Sequence, residues 1–135
     1  MRYIMLIYTK ETESGPTREE GEKLKTAHWA AMQEATRKGV LLGAEPLGPT
    51  RTATTVRMKD GQALITDGPF AETKEQLAGY YILECENLDE AIEWAAKIPT
   101  SCKGGEGCIE IRPLPGLPKR AETEPIAGQA VTLNV

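Results

Sequence analysis

Over residues 2–9 the chain has no polar face. Tyr3, Met5 and Ile7 alternate with Ile4, Leu6 and Tyr8, so both sides of a strand here are apolar. A strand of this kind is buried on both sides. The pattern returns over 79–86, where Tyr81, Leu83 and Cys85 stand against Tyr80 and Ile82. Between these stretches the period changes. Leu24, Ala27, Ala31, Met32 and Ala35, with His28 among them, fall on one stripe of a helix. Thr17-x-x-Glu20 starts that helix as a capping box. Gly39 ends it, after Arg37 and Lys38 have met the negative end of the helix dipole. A second helix opens at Asn87-Leu88-Asp89-Glu90 and stops at Pro99. Its expected buried stripe is Leu88, Ala91, Ile92, Ala95 and Ala96.

Shorter strands are predicted over 40–47, 52–58, 63–66 and 108–112. Asp60-Gly61 is a strong hairpin signal between two of them. Asp67-Gly68-Pro69-Phe70 is a turn, and 71–77 is polar and irregular. The order is β-α-β-β-β-β-α-β, an α+β class. Without the Asp60-Gly61 hairpin it is a ferredoxin-like βαββαβ unit. Two helices cover only one face of its antiparallel sheet. The other face would expose more apolar surface than a monomer normally tolerates. A second copy, sheet against sheet in a C2 homodimer, is the simplest cover. Residues 1–113 form the domain and 114–135 an extension, in which Val131-Thr132-Leu133 could pair as a weak edge strand.

Composition narrows the class further. A chain of 135 residues suits one core. The net charge of −4, without a Lys/Arg block, argues against a nucleic-acid partner. The apolar N-terminal run is too short to span a membrane and lacks a signal-peptide cleavage site. Cys85, Cys102 and Cys108, an odd count without CxxC spacing, suit reduced thiols and a cytoplasmic location. No metal site is expected from one His and these cysteines. No cofactor is implied either: Gly104, Gly105 and Gly107 lead from a helix into a strand, the reverse of a phosphate loop.

One long motif carries a resemblance. Thr66-Asp67-Gly68-Pro69-Phe70-Ala71-Glu72-Thr73-Lys74-Glu75, then Gly79-Tyr80-Tyr81, then Asp89-Glu90-Ala91-Ile92-Glu93-Trp94-Ala95, resembles the DGPF branch of the YCII-related proteins. The resemblance runs from about Met1 to Pro113 in order and spacing. It implies a dimeric α+β barrel, in which two ferredoxin-like sheets pack face to face. It also implies a small-molecule enzyme or binder using a cavity at that barrel. The alternative it carries is a non-catalytic module associated with an extracytoplasmic-function sigma factor. In YCII-like relatives a helix histidine paired with an Asp is the proposed site. His28, ahead of Gly39, stands in the matching register, and Asp67 is the companion nominated here.

These residues have two readings each. His28 is the chain's single histidine and sits on the sheet-facing stripe. With a carboxylate beside it, it is a general base; without one, it is a core histidine with one satisfied nitrogen. Asp67 either faces a cavity at a strand exit or fixes a turn before Gly-Pro. Glu72, Thr73, Lys74 and Glu75 beside it form either a polar ligand-binding cluster or a solvated loop. The sign of the His28 pKa shift separates its two readings, since a carboxylate raises it and burial lowers it.

Overall fold

The structure, a computed structural model, describes residues 1–100 and 107–117. The expectations for Cys102, for Gly104 and Gly105, and for an edge strand at Val131-Thr132-Leu133 lie outside the described residues. Within them the elements run β1 (Arg2–Thr9), α1 (Arg18–Arg37), β2 (Leu41–Pro46), a 3₁₀ turn at Thr50–Thr52, β3 (Thr54–Lys59), β4 (Gln62–Asp67), β5 (Gln76–Glu84), α2 (Leu88–Ala95) and β6 (Cys108–Leu114). Four strands form an antiparallel sheet in the order β2-β5-β1-β6, and β3 and β4 form a separate two-stranded sheet. With the hairpin set aside, this is the ferredoxin-like order. β5 begins at Gln76, so the end of the stretch read as irregular is already strand.

Local signals set the ends of the elements. Thr17 Oγ1 accepts from the Glu20 amide at 3.1 Å, and the Glu20 carboxylate accepts from the Thr17 amide at 3.2 Å. Gly39, at φ 74°, takes the left-handed position past the end of α1. Asp60 and Gly61, at φ 51° and 78°, supply the two positive angles of a tight hairpin turn between the paired Lys59 and Gln62. Asn87 caps α2 by accepting from the Glu90 amide at 2.9 Å. Lys97 binds Glu34 at 2.8 Å while its ammonium lies 4.7 Å from the Trp94 ring centroid, which ties the end of the α2 segment to α1.

Both helices cover one face of the four-stranded sheet. There Tyr3, Met5 and Ile7 of β1 and Tyr81 and Leu83 of β5 are buried together with Cys85, Ala35, Ala91 and Ile98. Met32, Leu41, Ala44, Trp94, Ile109 and Ile111 pack around them. Gly79 permits the close approach of β2: a Cβ there would stand 2.8 Å from the Glu45 carbonyl oxygen. The stripe of α2 differs from the expectation. Ala91, Trp94, Ala95 and the following Ile98 face the core, while Leu88 and Ile92 are exposed. Spacings of three and four residues link both sets, so the sequence of so short a helix does not choose between them. Contact with the sheet selects the set led by the small Ala91.

The opposite face has no cover among the described residues. Register places Leu6 opposite Tyr80 and Glu110, and Ile4 opposite Ile82 and Arg112. Ile4, Leu6, Tyr8, Tyr80 and Ile82 are all partly exposed. The two-sided apolarity of β1 and β5 is therefore real, and among the described residues one side of it is open.

Candidate functional site

His28 lies in the middle of α1 on the covered side of the sheet, half-buried. Its Nδ1 stands 2.8 Å from the phenolic oxygen of Tyr81, and the same oxygen lies 3.4 Å from the His28 carbonyl. The rings are tilted by 45° with centroids 5.9 Å apart. α1 positions the imidazole through its sheet-facing stripe. β5 positions the phenol, because Tyr81 shares the parity of Leu83 and Cys85 and points under the helices. A buried tyrosine hydroxyl needs a partner, and His28 supplies it.

Burial governs the protonation of both groups. It lowers the His28 pKa from its ordinary 6.5, since the imidazolium loses hydration. It pushes the Tyr81 phenol up to about 12. The pair is thus uncharged at neutral pH. No carboxylate contributes to the His28 shift.

Asp67 stands elsewhere. It ends β4 opposite Thr54, is exposed, and its carboxylate makes no hydrogen bond to the described residues. The chain does not bring His28 and Asp67 together. Nor is the turn after Asp67 held by its side chain. Gly68, at φ 99°, donates its amide to the Ala53 carbonyl at 2.7 Å and accepts from Thr55 Oγ1 at 2.8 Å. Backbone geometry that glycine tolerates, with a threonine on β3, makes the turn.

The polar motif residues Glu72, Thr73, Lys74 and Glu75 are exposed. Thr73 Oγ1 donates to the Glu75 carbonyl at 2.6 Å, and Gln76 Nε2 donates to the Thr73 carbonyl at 2.5 Å. Gln76 Oε1 also accepts from the Glu11 amide at 2.8 Å. The Glu11 carboxylate accepts from the Thr50 amide at 2.9 Å and from its hydroxyl at 2.7 Å. Thr73 thus belongs to a network that locks together the loops at one end of the sheet. Sequence reading missed Glu11, Thr50 and Gln76 in this role, and Tyr81 as the partner of His28. The parity of Tyr81 within the Gly79-Tyr80-Tyr81 strand was the available signal for the last.

A cavity between two face-to-face sheets would be lined by the open face, with Leu6, Tyr80 and Ile82. His28 and Tyr81 lie across the sheet from it. The His28–Tyr81 pair and the sheet face that would line such a cavity thus occupy opposite sides of the same four strands.

No group of three or more His, Cys, Asp or Glu among the described residues is arranged to hold a metal ion. No described helix is long and apolar enough to cross a membrane. The family model of the YCII-related domain matches residues 1–115. An uncharacterized protein of Rhizobium meliloti (strain 1021) is 37% identical over 115 residues, covering 84% of this chain and 92% of the relative. Among solved structures, 5-chloro-2-hydroxyhydroquinone dehydrochlorinase from Burkholderia phenoliruptrix AC1100, in complex with 2,5-dihydroxybenzoquinone, is similar at 15% identity and a TM-score of 0.42. That alignment covers 86% of this chain and 95% of the dehydrochlorinase, and a likeness at this level carries no argument about chemistry.

Proposed function

This chain belongs to the YCII-related family, and from that premise we propose that it acts on a small organic molecule by proton transfer, with His28 as the base and Tyr81 as the group that orients it. The observation that carries the reading is the double contact of the Tyr81 hydroxyl, 2.8 Å to Nδ1 and 3.4 Å to the His28 carbonyl. A phenol has one proton. If Nδ1–H donates to Tyr81, the phenol proton is free for the carbonyl and both contacts are satisfied. Nε2 is then left unprotonated, as an acceptor. In the other tautomer the phenol proton goes to Nδ1, the carbonyl contact has no proton, and Nε2 becomes a donor. The first arrangement leaves an oriented neutral imidazole whose lowered pKa keeps it deprotonated at neutral pH, the state a general base requires.

The test is the ring tautomer. Long-range ¹⁵N–¹H correlation of His28 at neutral pH should report Nδ1–H, and Tyr81→Phe should erase that preference. An Nε2–H tautomer in the parent would contradict the assignment of the base. Native mass spectrometry of protein purified from its own cells should show a retained small molecule whose occupancy falls in His28→Gln. Unchanged occupancy would separate the histidine from the ligand.

Assembly forms the second half of the proposal. Two copies pair through the open sheet face, burying Ile4, Leu6, Tyr80 and Ile82. Sedimentation equilibrium at micromolar concentration should give about twice the chain mass for such a pair. A stable monomer would remove this half and leave the His28 assignment standing.

A further inference from the structure

The β3–β4 hairpin leaves the chain after the end of β2 and returns to it before the start of β5. It has its own polarity. Register puts Val56 opposite Ile65, and Met58 opposite Ala63, on one side, with Thr54 opposite Asp67 at its base, while Arg57 and Leu64, Lys59 and Gln62, and Thr55 and Thr66 share the other. Over the two pairs nearer the turn the first side is apolar, yet Val56 is 58%, Met58 69% and Ile65 70% exposed. All six residues of β4 are exposed. An isolated two-stranded hairpin is at best marginally stable in water. An apolar side alternating with a polar one is the pattern of a strand pair covered on one face.

We propose that this hairpin is an arm that docks on a second copy of the chain, its apolar side closing one end of the interface between two open sheet faces. The inference rests on the sheet-to-sheet pairing proposed above and extends it. Area favours a second copy as the occupant. Four strands of up to nine residues present on the order of 500 Å² in plan, below the about 800 Å² per partner of a standard interface. The hairpin adds on the order of 200 Å², which brings the combined surface close to that size. Continuity favours it as well. The arm is rooted where β2 ends and β5 begins, at one end of the sheet whose open face would form the interface. A two-fold axis then uses both surfaces twice, as an isologous interface requires.

Sedimentation equilibrium with full-length variants tests the arm. The double variant Val56→Asp with Ile65→Asp places charge on the apolar side and should weaken dimerisation by about tenfold or more. Arg57→Gln with Lys59→Gln, on the polar side, should change it by less than about twofold. Circular dichroism will show the core of each variant folded, since the hairpin lies outside it. In the parent, hydrogen exchange of the amides between 54 and 67 should slow as protein concentration rises through the dimerisation range. A dimeric parent unaffected by the Val56/Ile65 variant, or weakened equally by the Arg57/Lys59 variant, overturns the arm while the sheet pairing stands. Hairpin exchange independent of concentration in a dimeric parent also overturns it. A parent that is monomeric throughout overturns the pairing itself, and the arm with it.

Discussion

The two faces of the four-stranded sheet are made from the same strands, one residue out of phase, and have opposite fates. On β1, Met5 is 0% exposed, while its neighbours Ile4 and Leu6 remain partly open. On β5, Leu83 is 1% exposed and Ile82 beside it is partly open. Apolar chemistry does not distinguish the faces. The reach of two helices does, since both pack on one side. The covered face holds the His28–Tyr81 pair, and the open face holds the apolar surface available for assembly. In this reading, chemistry and association are separated by the thickness of one sheet.

The comparison is broken most directly by truncation on each side. Leu83→Ala should cost about 2–5 kcal/mol, because it leaves a cavity in a closed core. Ile82→Ala, at a protein concentration low enough to populate the monomer, should cost less than about 1.5 kcal/mol, because that side chain stays partly in water and its removal leaves no closed cavity. Urea denaturation of both variants decides the matter. Equal losses would show that the open face is closed within a single chain.

A smaller contrast compares glycines. At Gly79, on the covered face, a Cβ would stand 2.8 Å from the Glu45 carbonyl oxygen and 3.2 Å from the Pro46 Cα, both backbone atoms. Gly79→Ala should therefore cost about 1–3 kcal/mol, as β2 is pushed off β5. At Gly43 an added Cβ meets nothing within 4 Å. Gly43→Ala should stay within about 0.5 kcal/mol of the parent. Thermal melts of the two variants give the order directly.

The smallest effect is electrostatic. The folded pKa of His28 lies below 6.5, the unfolded value. The unfolded chain therefore binds more protons between the two pKa values, and stability rises with pH there. The contribution is complete above 6.5 and is lost as pH falls towards the folded pKa. His28→Gln should lack this slope in the range above carboxylate titration, as read from urea midpoints across pH. A parent whose stability instead rises as pH falls through that range would require a raised histidine pKa.

Local signals in the sequence explain much of the fold. The Thr17 capping box, Gly39 past α1 and the Asp60-Gly61 turn each depend on neighbours a few residues apart, and each stands where the pattern predicts. The unbroken apolar alternation of β1 and β5 also translates directly, into one buried face and one open one. The stripe of α2 was not legible, because so short a helix carries two apolar sets and only the sheet chooses between them. The site was legible in one residue. His28 was identifiable as the single histidine on a sheet-facing stripe. Its partner, 53 residues away, depends on how β5 is placed beneath α1. Asp67 drew attention through its motif, but its neighbours account for the turn, and the carboxylate points to no described partner.

The measurement closest to the central claim is the titration of the His28 ring by NMR, in the parent and in Asp67→Asn. If Tyr81 is the partner and burial sets the protonation state, the parent midpoint lies below 6.5 and Asp67→Asn leaves it in place. A midpoint above 6.5 that falls by about one unit in Asp67→Asn would contradict the account and make the carboxylate the partner of the histidine.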